Sequence, residues 1–120
     1  MAYQLSWYKP DQVLSLKFLG ELRIEELEEI NDAVIKILDE QLTKVNILID
    51  ATDLSASHNA ASQLRTTQKY MNHPSLDSAL VVSENKLNRL ITLMAFSISR
   101  AKFMQFNTMQ HAESMIGWIC

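Results

Sequence analysis

The sequence predicts an α/β fold: a mixed, mostly parallel sheet of about five strands, antiparallel at its N-terminal strand and covered by about four helices. Three observations carry this expectation. Val45 to Ile49 is an unbroken apolar run rich in β-branched residues, the pattern of a strand buried on both faces. Further short apolar runs alternate with segments of helical periodicity, which is the rhythm of βαβ units. A tight turn between two alternating segments occurs near the N-terminus, so the antiparallel pair belongs there.

Taken in order, Tyr3 to Tyr8 alternates, with Tyr3, Leu5 and Trp7 on one side. Lys9-Pro10-Asp11-Gln12 reads as a turn because proline presets the dihedral of its second position. Val13 to Leu19 alternates again and completes the hairpin. A helix is predicted from about Ile24 to Gln41, where Ile24, Leu27, Ile30, Val34, Ile37 and Leu38 share one stripe. Glu25, Glu26, Glu28 and Glu29 crowd its first turns, where negative charge suits the helix dipole. The central strand is expected to stop at Asp50 and give way to a polar loop. Ala60, Leu64, Thr67 and Met71 mark a second helix that ends before Pro74. Ser78 to Val82 is the next strand, Lys86 to Ser99 the third helix and Lys102 to Phe106 the last strand. Asn107 or Thr108 then caps a final helix carrying Met109, Ala112, Met115, Ile116 and Ile119 on one face.

Composition bounds the function. The 120 residues are 48% apolar and 21% charged, values expected of one globular domain spanning 1–120. The net charge is −3 and the eleven Lys and Arg residues form no run, so no nucleic-acid partner is expected. One cysteine, Cys120, allows no internal disulfide and fits a reducing compartment. Residues 1–7 carry no secretory pattern. No apolar run nears the ~20 residues that span a bilayer. A cytoplasmic protein is the expectation.

The chain resembles the STAS domain (sulfate transporter and anti-sigma-factor antagonist), in particular its stand-alone SpoIIAA-like members. The resemblance lies in the element order and in Phe18-Leu19-Gly20-Glu21-Leu22, Ile47-Leu48-Ile49-Asp50-Ala51-Thr52-Asp53-Leu54-Ser55, and Phe106-Asn107 through Gly117-Trp118-Ile119. It implies a non-enzymatic regulatory or protein-interaction module with no cofactor. Regulatory members of the family carry an Asp-Ser-Ser-Gly or Asp-Ser-Thr-Gly motif at the start of the second helix, where a partner kinase phosphorylates a serine. Here His58-Asn59-Ala60-Ala61 stands in that place. Asn59 replaces the phosphorylated residue and Ala61 the glycine, so the switch is missing. Ser55 and Ser57 are the nearby hydroxyls.

Two candidate sites follow. Asp50, Asp53, Ser55, Ser57, His58 and Asn59 form a loop that would bind a protein partner, or a small anion at the second helix's N-terminus. Asp50 and Asp53 are a carboxylate pair, but without further acidic partners they suit loop-tying better than metal or acid–base work. Ser57, His58 and Asp53 have the residue types of a hydrolytic triad without a nucleophile elbow. His58, His73 and His111 lack metal-ligand spacing, so no metal and no catalytic residue is expected.

The second site is on the third helix. Leu87, Leu90, Ile91, Met94 and Ile98 are assigned to the core, leaving Leu93 and Phe96, with Arg89 and Arg100, as an interface on the opposite face. The expected occupants are another protein or a second copy of the chain, and the competing expectation is that the terminal helix covers this face. The six methionines also raise a different class of function, a carrier of a small hydrophobic ligand or lipid.

Overall fold

The computed structural model describes residues 3–21, 23–55 and 60–119. Its elements are β1 (Tyr3–Lys9), β2 (Val13–Gly20), α1 (Ile24–Asp39), β3 (Val45–Leu54), α2 (Ala60–Thr67), a 3-10 turn at Lys69–Asn72, β4 (Leu76–Val82), α3 (Lys86–Phe96), β5 (Lys102–Phe106) and α4 (Met109–Ile119). The strands lie side by side in the order β1-β2-β3-β4-β5, with β1 antiparallel to β2 and every other pairing parallel. This is the mixed sheet that the sequence predicts, with the antiparallel member at an edge.

The hairpin turn follows from its residues. Gln12 N–H donates to Lys9 O at 3.0 Å, Pro10 takes the second position, and Asp11 sits in the left-handed region at φ 62°. That is the pattern of a type II turn, whose third position favours glycine and tolerates Asp or Asn.

Strand alternation sends one set of side chains to each face. Leu14, Leu16 and Phe18 of β2, Ile47 and Ile49 of β3, and Ala79 and Val81 of β4 join the larger core. Three helices cover that face: α1 contributes Leu27, Ile30, Val34 and Leu38, α2 contributes Ala60 and Leu64, and α3 contributes Ile91, Ala95 and Phe96. A smaller core lies on the other side, where Ala112 and Ile116 of α4 cover Val13, Leu48, Leu80 and Val82. Each fully buried Leu, Ile or Phe contributes roughly 1.5–3 kcal/mol, so the three-helix face holds most of the stability.

Polar ties fix the helices. Asn31 of α1 accepts from the backbone N–H groups of Lys69 and Tyr70 at 2.7 and 3.2 Å. The buried Gln68 Nε2 donates to Leu27 O at 2.8 Å. His73 Nδ1 accepts from Ser75 N–H at 3.0 Å, which places the ring proton on Nε2, 2.7 Å from Asp39 Oδ1. These ties lock the 3-10 turn and the start of β4 onto α1.

Several boundaries differ from expectation. β3 does not stop at Asp50 but continues to Leu54, pairing Asp53 with Leu19 and Leu54 with Gly20 beyond a register shift. Ladder hydrogen bonds to β2 outweigh the polar composition of Asp50 to Asp53. The helices α1, α2 and α3 are shorter than predicted, ending at Asp39, Thr67 and Phe96, and Met71 lies in the 3-10 turn after α2.

Candidate functional site

The rim at the C-terminal ends of β3 and β4 holds the first candidate site. Asp50 Oδ1 accepts from Thr52 N–H at 3.0 Å and from Thr52 Oγ1 at 2.6 Å. One carboxylate oxygen is thus committed to its own strand, as expected of a loop-tying aspartate. Asp53 pairs with Lys17 at 3.3 Å across the β2–β3 ladder. The two carboxylates do not converge on a shared site. Among the described residues, no group of three or more His, Asp or Glu side chains stands together as a metal cage would require.

Gly20 closes the rim. Its φ of 68° lies in the left-handed region, and its carbonyl accepts from Ser55 N–H at 3.0 Å. Ser55 is exposed, while Ser57, His58 and Asn59 lie outside the described residues, as does the N-cap of α2. Behind this rim Glu21, Leu27, Leu54, Ser55, Gln63 and Leu64 line, among others, a half-open pocket of about 20 Å³, the room for about one water molecule. A larger cleft between α1 and α2 is open and polar, lined by Glu28, Asn31, Asp32, Thr66, Thr67 and Lys69 among others.

The third helix differs most from its sequence-based reading. Its buried face is Asn88, Ile91, Thr92, Ala95 and Phe96. Phe96 is 1% exposed and belongs to the core, so it is not part of an outward interface. Of the five residues assigned to the core stripe only Ile91 is buried. Leu87 is 58% exposed, Leu90 52%, Met94 50% and Ile98 95%, and Leu93, correctly placed outside, is 41% exposed. The terminal helix does not cover them, because α4 packs on the opposite side of the sheet.

Hydrogen bonding explains the inversion. Asn88 is 1% exposed and its Nδ2 donates to Ala51 O at 3.2 Å and Leu54 O at 2.9 Å. These carbonyls lie where β3 outruns β4 and has no further neighbour strand on that side. Thr92 Oγ1 donates to Asn88 O at 3.0 Å, and Gln105 Nε2 of β5 donates to Arg89 O at 2.7 Å. Asn85 caps the helix by accepting from Asn88 N–H at 2.7 Å. A small polar side chain that satisfies strand-end carbonyls takes the inward position, and the larger apolar side chains are left outside.

The two arginines of the expected interface are placed differently from each other. Arg89 is half-buried and its Nη2 donates to Asn107 Oδ1. Arg100 is exposed beyond the helix end, with its backbone N–H donating to Asn72 Oδ1 at 2.9 Å. The outcome is an exposed apolar ridge of Leu87, Leu90, Leu93 and Met94 along α3, extended by Ile98.

A five-stranded mixed sheet with three helices on one face and one on the other is a SpoIIAA-like α/β fold, and the chain has that fold. An uncharacterised protein of the DUF3478 family from Shewanella loihica PV-4, itself described as SpoIIAA-like, superposes with a TM-score of 0.67 at 22% identity, over 99% of this chain and 93% of that one. No protein-family model matches the chain, and no curated protein does. Among the described residues, no helix is long and apolar enough to cross a membrane.

Proposed function

We propose that the protein is a non-enzymatic interaction module whose docking surface is the outer face of α3. The observation that carries the reading is the exposure of Leu87, Leu90, Leu93 and Met94 along one side of α3, with Ile98 exposed just beyond its end. Scattered apolar side chains are normal on a protein surface, but a contiguous ridge of this kind marks an interaction site. Leu87, Leu90 and Met94 follow a 3–4 spacing, the spacing a packing partner reads as a continuous seam.

The rim of Asp50, Asp53 and Ser55 at the end of β3 serves this module as scaffold. Asp50 and Asp53 spend their charge on Thr52 and Lys17, which leaves the ridge as the stronger recognition element. The missing phospho-switch at Asn59 points the same way, toward recognition without a serine on-off step.

Photo-crosslinking tests the reading. A photoreactive residue at position 90 gives a discrete adduct in living cells, and the adduct is lost when Met94→Asp is added. The same group at Ser114, on the exposed side of α4, gives none. No adduct from position 90, or the same adduct from both positions, contradicts the reading.

A further inference from the structure

Charge is divided unevenly across the helix layer. Eight of the fourteen carboxylates fall within residues 21–40, where Arg23 and Lys36 are the cations. Residues 60–76 and 85–112 hold Arg65, Lys69, Lys86, Arg89, Arg100 and Lys102 and not one carboxylate. The acidic stretch is α1 and its flanks, and the basic stretches are α2, α3 and β5. Since α1, α2 and α3 cover the same sheet face, with α2 touching both of the others, the layer is acidic at one side and basic at the other.

We infer that the ridge on α3 is occupied by a second copy of this chain, docked helix layer to helix layer so that α3 of each protomer lies on α1 of its partner. This rests on the docking reading above and names its occupant. Both helices connect neighbouring strands of one parallel set, so they run in the same direction. A two-fold axis parallel to the helices brings α3 over the partner's α1 with that shared direction kept. Lys86 near the start of α3 then faces the glutamates at the start of the partner's α1. Arg100, beyond the end of α3, faces the carboxylates at its finish.

The contact occurs twice and closes on itself, as an isologous dimer requires. Packing α3 directly on α3 would bring Lys86, Arg89 and Arg100 against their own copies, whereas in the layer arrangement α2, with Arg65, is the helix that meets its own copy.

Charge reversal tests the arrangement. One variant carries Glu25→Lys with Glu28→Lys, and a second carries Lys86→Glu with Arg100→Glu. All four positions are exposed, and circular dichroism confirms that each variant is folded. Sedimentation of the wild type gives twice the 13.7 kDa chain mass, with dissociation promoted by salt. Either variant alone dimerises on the order of 100-fold more weakly, since each reversal acts in both copies of the contact. An equimolar mixture restores the dimer, because both contacts then pair opposite charges.

A wild type that stays at the monomer mass, a variant that dimerises as well as the wild type, or a mixture that stays monomeric overturns the inference. A monomeric wild type that still forms the position-90 adduct with another protein leaves the docking reading standing. Loss of both sinks the two together.

Discussion

Replacing Asn88 with alanine should unfold the protein more readily than replacing Leu90, although leucine is the more apolar residue on the same helix. Asn88 is fully buried and donates to the carbonyls of Ala51 and Leu54. Its removal strands two acceptors and leaves a small void. A buried group left without its partner costs about 1–3 kcal/mol. The two stranded carbonyls together put the loss at about 2–4 kcal/mol, a large share of a typical ~5–15 kcal/mol total. Leu90 is half exposed already, so Leu90→Ala in the separated chain should change stability by no more than about 0.5 kcal/mol. Urea denaturation at low protein concentration measures both, with the midpoint shift converted through an unchanged m-value. The reasoning is refuted if Leu90→Ala costs about 2 kcal/mol or more while Asn88→Ala lies near the wild type.

Three further outcomes follow from the same packing. Phe96→Ala should cost about 3–5 kcal/mol, whereas Leu93→Ala stays within about 0.5 kcal/mol, and thermal melts separate the two. Gly20→Ala should cost about 1 kcal/mol from the left-handed backbone alone, because no atom of the described residues stands near its missing side chain; a cost several times larger would mean that the rim is packed more tightly than described. Burial drives the Tyr70 phenol far above its ordinary pKa, and its hydroxyl has no hydrogen-bond partner among the described residues. The neutral phenol therefore contributes stability that is complete below about pH 10. That stability is lost as pH rises further, at up to about 1.4 kcal/mol per pH unit, because the unfolded chain releases the proton first. Tyr70→Phe should hold or raise stability at neutral pH and flatten the alkaline decline, which denaturation at stepped pH reads directly.

Much of the fold was legible in local pattern. The unbroken apolar run at Val45 to Ile49 identified the central strand, and Pro10-Asp11 fixed the hairpin that makes β1 antiparallel. The end of β3 was not legible, because pairing of Asp53 and Leu54 with β2 is a tertiary effect that overrides a polar composition. The faces of α3 were misassigned for a similar reason. Counting apolar residues favoured Leu87, Leu90 and Met94, yet Asn88, Ile91, Thr92, Ala95 and Phe96 also recur at helical spacing. Nothing local shows that Asn88 will meet two strand-end carbonyls. That α3 would leave apolar side chains exposed was readable from its two apolar faces, but which face turns outward depended on hydrogen bonds to distant residues. At the rim, the structural role of Asp50 was readable, since an aspartate near Thr52 bonds locally wherever the strand carries it.

Methionine oxidation tests the docking face most directly, because the chain carries a reporter on it. Met94 is half exposed on the ridge, Met71 is a buried residue of the 3-10 turn, and Met109 and Met115 lie partly exposed on α4. In dilute purified protein Met94 should oxidise faster than Met71. In intact cells Met94 should become protected while Met109 and Met115 keep their rates, and Leu90→Asp should abolish that protection. Equal oxidation of Met94 in dilute solution and in cells would contradict a docking face on α3.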